Sequence, residues 1–89
     1  PLNVCLKNCI IHHNEYHGIS TSANSLINIH GDATAIHSNV RYGIWAYDSG
    51  EVLIHLPSHH NTSYNNIRED RFTNNGGSIT NVEDEAEDN

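Results

Sequence analysis

Short apolar runs in which every second position is hydrophobic recur along the chain. Two clear examples are residues 26–29 and 52–54, which are rich in branched side chains. Alternation over so few residues is typical of a half-buried β-strand, because successive side chains of a strand point to opposite faces. No stretch of about ten residues combines a 3.6-residue apolar period with a capping signal. The pattern therefore predicts an all-β protein built from short strands.

The strand pattern repeats with a spacing of 25 residues. A fixed period of roughly 20–50 residues is the signature of stacked repeats. Three strands and three turns per period predict a single-stranded parallel β-helix (a solenoid) of about three coils, ~4.8 Å apart. The crossover rule for parallel strands makes it right-handed. In the second copy the predicted strands and turns alternate as 18–21, 23–25, 26–30, 31–32, 34–37 and 38–39.

The constant spacing also predicts which side chains share a column along the solenoid. Side-chain alternation decides the facing, so four columns are expected inside and two outside. Asn14 and Asn39 lie at a turn, where Asn tolerates left-handed backbone, and their stacked amides are expected to form a ladder. The expected inward columns are Leu2/Ile27/Val52, Val4/Ile29/Ile54, Ile11/Ile36 and Ile19/Ile44, and the outward ones are Asn3/Asn28/Leu53 and Cys5/His30/His55.

The third coil departs from the period. Residues 60–64 match 38–42 at a spacing of 22, which a shorter turn at residues 56–58 would explain. Residues 68–75 then read as an insertion, with Glu69, Asp70 and Arg71 in a solvated loop. We expect the insertion to interrupt the third coil.

The solenoid is predicted to span residues 1–82. Ser78–Val82 resembles residues 25–29, so a further strand is expected there. Residues 83–89 form an acidic run without apolar partners and are predicted to be disordered. Residue 1 is Pro within the periodic pattern, so we expect a segment of a longer solenoid. Its uncapped end coils would favour self-association, because an open sheet edge recruits further strands.

The net charge of −7 leaves four fixed cations, namely Lys7, Arg41, Arg68 and Arg71. Nucleic acids and anionic membranes both need a basic footprint, so neither is an expected partner. No apolar run approaches the ~20 residues of a membrane span. The two cysteines do not define a disulfide framework and leave the compartment undetermined.

Several motifs recur with the repeat, namely Asn14-(x3)-Gly18-Ile19, Ile29-His30-Gly31, Ile36-His37-Ser38-Asn39, Tyr42-Gly43-Ile44 and Ile54-His55-Leu56-Pro57-Ser58. Their combination resembles right-handed parallel β-helix repeat proteins, in particular uncharacterised ones of algae and other protists. The resemblance covers residues 2–82 and implies the fold far more specifically than the function. The wider group is similar to pectin-lyase-like proteins, which include polysaccharide lyases, hydrolases and epimerases besides members without known activity.

Trp45 and Tyr47, followed by Asp48, are expected on the outward face of one strand, above Ser20 and Ser22 of the preceding coil. Exposed aromatic rings can stack on sugar rings, while a carboxylate and hydroxyls bind sugar hydroxyls. These three residues are therefore the candidate glycan site. The alternative is that the rings cover the sheet against a loop or a neighbouring domain.

Histidine is frequent, and His30 over His55 and His12 over His37 are expected outward stacks. A stacked pair one coil apart would be a weak metal candidate, because zinc wants three or four ligands. The simpler interpretation is that these histidines are surface residues that recur at equivalent positions of successive repeats. Cys5, Cys9, His13 and His17 are spaced by four, but the repeat register places the two cysteines on different strands and faces. No metal or other cofactor is therefore expected.

A hydrolase of this fold would need two carboxyl groups about 5–9.5 Å apart. The candidate acids do not form an outward column on the strand of Trp45, and no nucleophile motif is present. The expected function is a non-catalytic scaffold that presents a flat surface to a protein or polysaccharide partner. The alternative is a fragment of a polysaccharide-active lyase, hydrolase or epimerase. The acids considered are Glu15, Asp32, Asp48 and Glu51, and the candidate proton-abstracting bases of a lyase are Arg41 and Arg68.

Overall fold

The computed structural model describes residues 2–59 and 62–83, and these residues form a parallel β-solenoid without any helix. Accordingly, none of them belongs to a helix long and apolar enough to cross a membrane. Residues 84–89 of the predicted acidic tail lie outside the described residues. The strands are β1 (Asn3–Lys7), β2 (Ile10–His12), β3 (Ile19–Thr21), β4 (Leu26–His30), β5 (Ala35–His37), β6 (Tyr42–Ala46), β7 (Glu51–His55), β8 (Ser63–Tyr64), β9 (Glu69–Thr73) and β10 (Ser78–Val82).

The strands stack into three parallel sheets that run along the solenoid. Sheet A has the order β1-β4-β7-β10, sheet B has β2-β5-β8, and sheet C has β3-β6-β9. Three successive strands therefore complete one coil, and the described residues make about three coils. The predicted all-β, parallel β-solenoid architecture is confirmed.

Three of the strand pairs have the predicted 25-residue register. Ile29 lies opposite Ile54 and Ile27 opposite Val52, and the same spacing joins β2 to β5 and β3 to β6. Ile29 and Ile54 are both 0% exposed. The inward columns form the core because each aliphatic side chain buried there contributes roughly 1.5–3 kcal/mol.

The predicted register of the first strand is wrong by two residues. Val4 lies opposite Ile27 and Leu6 opposite Ile29, so the spacing is 23 and not 25. A shift of two preserves the alternation, and Val4 and Leu6 therefore still lie in the aliphatic columns. Leu2 precedes the strand and is 71% exposed, so its predicted inward position is wrong. The outward column also changes, because Cys5 lies opposite Asn28 instead of His30.

The predicted alignment of the third coil is also wrong. Tyr64 lies opposite His37, a spacing of 27 rather than 22. The supposed insertion contains β9, so Glu69 and its neighbours are part of sheet C and not of a solvated loop. Ile79 lies opposite Val52, one position away from the predicted match. A shift of one inverts facing, which directs Ile79 toward the core.

A single corner of the solenoid explains both misalignments. The connecting segments can be measured as the number of residues between equivalent paired positions of successive strands. By this measure the connection from sheet B to sheet C has six residues in every coil, and the connection from sheet C to sheet A has four. The corner between sheets A and B has two, four and six residues in successive coils. The first two segments are residues 8–9 and 31–34, and the third lies between His55 and Thr62. The period is therefore set by turn length at this corner, which the apolar pattern does not encode.

The two constant corners are held by contacts between coils. At the corner between sheets C and A, a Cβ on Gly50 would collide with the carbonyl of Thr21, and one on Gly77 with that of Ala46. Only glycine allows the coils to approach so closely there.

An asparagine ladder holds the corner between sheets B and C, as predicted. The Nδ2 of Asn14 donates to Oδ1 of Asn39 (2.9 Å), and the Nδ2 of Asn39 donates to Oδ1 of Asn66 (2.8 Å). Asn66 ends the ladder by donating to a carboxylate oxygen of Asp70 (3.0 Å). One detail differs from the prediction, since the left-handed backbone falls on the preceding residues, for example Ser38 with φ of 59°. The asparagines are selected for their amides and not for backbone conformation.

Candidate functional site

Sheet C carries the main cluster of aromatic side chains in the described part of the chain. Trp45 lies in β6 between the fully buried Ile44 and Ala46, so alternation turns its ring away from the core. Trp45 is in register with Ser20 of β3, as predicted. The predicted outward facing of Trp45 is therefore confirmed.

Trp45 and Tyr47 stack on each other, so the ring faces that contact each other are closed to a ligand. Their ring centroids are 4.1 Å apart and their planes differ by 22°. The Nε1 of Trp45 donates to Oδ1 of Asn74 at 3.0 Å. One face of the indole is thus covered and its N–H is already bonded, which fixes the ring in place.

A second aromatic stack crosses all three coils beside Trp45. The rings of His17 and Tyr42 are 5.3 Å apart, those of Tyr42 and Phe72 are 4.5 Å apart, and each pair is parallel within 10°. His17 also contacts Trp45 at 4.8 Å, with a tilt of 54°. This stack was missed in the sequence, although the 25-residue spacing of His17 and Tyr42 is a signal for it. Phe72 was hidden by the wrong alignment of the third coil.

These side chains surround an open groove of about 610 Å³, which we call the aromatic groove. Arg41 forms part of its wall, with its Cζ atom 5.1 Å from the ring centroid of Tyr16. The residues that line the groove are Tyr16, His17, Arg41, Tyr42, Trp45, Phe72 and Asn74.

The three predicted glycan-site residues do not line one common groove. Trp45 lines the aromatic groove, whereas Tyr47 packs behind it and borders a different depression of about 320 Å³, together with Ser20 and Ser22. Asp48 is exposed in the turn after β6, where its carbonyl oxygen accepts a hydrogen bond from the backbone N–H of Ala23 (2.9 Å).

The pKa of His17 is lowered within this groove. Burial lowers the pKa of its imidazole below the ordinary value, and the positive charge of Arg41 lowers it further. The Nδ1 of His17 accepts the backbone N–H of Tyr42 at 3.4 Å. An unprotonated Nδ1 places the proton of the neutral ring on Nε2, so His17 offers one hydrogen-bond donor.

The two predicted histidine stacks are present on sheets A and B. His30 and His55 have centroids 4.2 Å apart and planes within 12°, and His12 and His37 are 5.1 Å apart with planes within 4°. Imidazole lone pairs lie in the ring plane, so parallel stacked rings do not direct two nitrogens at one ion. Stacking itself therefore gives no chelate, although it orders the rings.

The proposed metal spacing of cysteines and histidines does not produce a common site among residues 2–59 and 62–83. Cys5 lies in β1 and Cys9 in the turn after it, and both thiols are free. Within those ranges no group of three or more His, Cys, Asp or Glu side chains has an arrangement that could hold a metal ion.

The candidate acids are distributed over separate turns and strand ends. Glu15 lies between β2 and β3, Asp32 between β4 and β5, and Asp48 between β6 and β7, while Glu51 begins β7. None of these four residues lines the aromatic groove.

Comparison of the chain with protein-family models, curated proteins and solved structures found no match. The parallel β-solenoid architecture is thus established by the structure, and no matching family stands behind the resemblance to pectin-lyase-like proteins.

Proposed function

We propose that this chain is a non-catalytic β-solenoid scaffold that binds a glycan in the aromatic groove of sheet C. The observation that supports the proposal is the convergence of rings from all three coils, His17, Tyr42, Trp45 and Phe72, around one open groove. Small-ligand sites are typically concave and aromatic, with a few polar groups that fix orientation. Relationship to the pectin-lyase-like proteins is part of this proposal, on the strength of the repeat motifs.

The groove combines apolar surface with hydrogen-bonding groups. Phe72 and the exposed ring of Tyr16 supply apolar surface for the C–H groups of a sugar. The guanidinium of Arg41 and Nε2–H of His17 supply donors for sugar oxygens. Two carboxyl groups flanking a glycosidic bond would be needed for hydrolysis. No carboxyl group is among the residues that line the groove, which supply aromatic rings, an amide and a guanidinium.

The rings are already ordered before any ligand binds. Trp45 is held by stacking on Tyr47, by contact with His17 and by the hydrogen bond to Asn74. Binding to ordered side chains avoids the entropy cost of immobilising them, about 0.5–1.5 kcal/mol for each flexible side chain. A preformed groove therefore favours ligand binding, because little conformational entropy is lost when the ligand binds.

Ligand binding in this groove can be followed by intrinsic fluorescence, because Trp45 is the single tryptophan of the chain. We would titrate the protein with soluble oligosaccharides of neutral, amino and uronic acid sugars and follow Trp45 emission together with the heat of binding. At least one class is expected to shift the emission and to bind with measurable heat.

Replacement of Trp45 by alanine is expected to weaken that binding by about tenfold or more, since central aromatic anchors contribute upwards of ~1.4 kcal/mol. The matched control is Tyr64→Ala, which removes an aromatic ring from sheet B, outside the groove. If no oligosaccharide is bound, or if both variants lose binding equally, the glycan proposal is refuted. Capture of a protein partner that depends on Trp45 would reassign the groove to protein recognition.

A further inference from the structure

His12 and His13 bring two ring nitrogens together at the end of β2. Their Nδ1 atoms are 2.6 Å apart, and their rings are nearly perpendicular, with an interplanar angle of 81°. Both side chains are exposed. In contrast to the stacked pairs, these two rings bring an in-plane nitrogen of each within hydrogen-bond distance of the other. A neutral pair holds one proton between the two Nδ1 atoms, since one ring donates and the other accepts.

We propose that His12 and His13 form a surface chelate for a divalent transition metal, with Cu²⁺ as the preferred ion. The metal would bind both Nδ1 atoms, and the proton of the donor ring would move from its Nδ1 to its own Nε2 through solvent, so that both rings bind as neutral imidazoles that carry their proton on Nε2. This site is independent of the glycan groove, because it lies at the end of a sheet B strand and shares no residue with the groove lining.

The separation of the nitrogens selects the class of metal. With metal–nitrogen bonds of ~2.0–2.1 Å, two nitrogens 2.6 Å apart subtend an angle of about 80° at the metal. That angle is close to the right angle between neighbouring ligands in a tetragonal complex and far from the tetrahedral angle that Zn²⁺ prefers. Tetragonal nitrogen and oxygen coordination is characteristic of Cu²⁺ and Ni²⁺, and Cu²⁺ binds most tightly in the divalent series.

The neighbouring coil holds one of the two ligands in position. The ring of His37 lies parallel to that of His12 at 5.1 Å and rests in turn on Tyr64 at 5.0 Å. The Nδ1 of His37 is bonded to the hydroxyl of Ser38 (2.9 Å), so His37 acts as a positioning residue. Stacking restricts rotation of His12 and lowers the entropy cost of chelation.

The surroundings favour a bound cation with exchangeable water ligands. The chain carries a net charge of −7, which concentrates cations at its surface. In the described parts of the chain no group of three or more His, Cys, Asp or Glu side chains has an arrangement that could hold a metal ion, so at this site the protein would supply two ligands and water the others. A readily exchanged ion of this type suits reversible metal uptake.

The test is calorimetric titration of the whole chain with CuCl₂, NiCl₂ and ZnCl₂ near neutral pH, with electron paramagnetic resonance of the Cu²⁺ form. We expect one Cu²⁺ per chain, splitting from two nitrogens, and affinities in the order Cu²⁺, Ni²⁺, Zn²⁺. Tighter binding of Zn²⁺ than of Cu²⁺ would overturn the geometric argument.

Two variants remove the ligands with little change to the surroundings. His12→Phe keeps a ring to stack on His37, and His13→Asn suits the left-handed backbone of that position, where φ is 58°. Each is expected to weaken Cu²⁺ binding by on the order of tenfold or more. His30→Phe, which alters the other histidine stack, is the matched control and should bind Cu²⁺ as the parent does. Unchanged binding by both ligand variants, with β-sheet circular dichroism intact, would overturn the proposal.

Discussion

Replacement of Asn39 by alanine tests what the asparagine ladder contributes to stability. The side chain of Asn39 is 0% exposed and takes part in three hydrogen bonds. Its Oδ1 accepts the backbone N–H of Asn14 at 3.1 Å and the Nδ2 of Asn14 at 2.9 Å, and its Nδ2 donates to Oδ1 of Asn66 at 2.8 Å. All three bonds are lost in Asn39→Ala.

The expected cost follows from these bonds. A typical intramolecular hydrogen bond contributes ~1 kcal/mol net, so three of them amount to about 3 kcal/mol. No further penalty is expected for unsatisfied partners. Oδ1 of Asn66 keeps the backbone N–H of Asn39 (3.0 Å), and Asn14 is exposed enough for water to replace its bond. Small domains are stable by roughly 0.05–0.15 kcal/mol per residue, so this loss is a large fraction of the total.

Urea unfolding followed by circular dichroism measures the loss. With a denaturant slope of roughly 1 kcal/mol per molar urea, the midpoint of Asn39→Ala should fall by about 3 M. The control is Asn3→Ala, because the exposed Asn3 accepts only a long bond from Asn28 at 3.5 Å. Its cost should stay within about 0.5 kcal/mol. Equal midpoints for the two variants would mean that the ladder gives no net stability.

Two further predictions concern the core and the pH dependence of folding. Ile29→Asp should abolish the β-sheet circular dichroism because it buries an unpaired charge at a fully enclosed position, whereas His30→Asp, on the opposite face of the same strand, should retain it; equal loss in both would show that the facing is wrong. The pKa of His17 is lower in the folded chain than its ordinary 6.5, so below about pH 6.5 the unfolded chain binds more protons than the folded chain does. The free energy of unfolding should therefore decrease as the pH falls below about 6.5. His17→Gln keeps an acceptor for the N–H of Tyr42 and should lose less stability than the parent between pH 8 and pH 5; an identical loss in thermal unfolding at the two pH values would contradict this.

The second coil is predicted most accurately, because its strand facing and its turns depend only on residues that are close together in the sequence. Strand alternation gives the facing of Ile27 and Ile29, and Gly31 with Asp32 marks the turn. The first and third coils were misaligned because the register depends on the length of the corner between sheets A and B. For this reason Leu6, and not Val4, is paired with Ile29. Likewise Ile79, and not Thr80, is paired with Val52.

The candidate site shows the same division between local and non-local information. Alternation predicts that Trp45 faces outward, and the period predicts that His17 lies over Tyr42. The mutual stacking of Trp45 and Tyr47 depends on rotamers, which the pattern does not specify. Phe72 reaches the groove only because the third coil is longer than its predecessor, so no local motif indicates it.

The corner between sheets A and B grows by two residues in each coil while the rest of the fold keeps its dimensions. The strand pairing of the three sheets therefore accommodates different chain lengths at this corner, and a foreign peptide inserted between Gly31 and Thr34 should leave the stacked strands in register. A row of such splices, one per coil, would display peptides at the ~4.8 Å pitch of the sheets, so this edge of the solenoid is a natural place for evolution or design to add new surface.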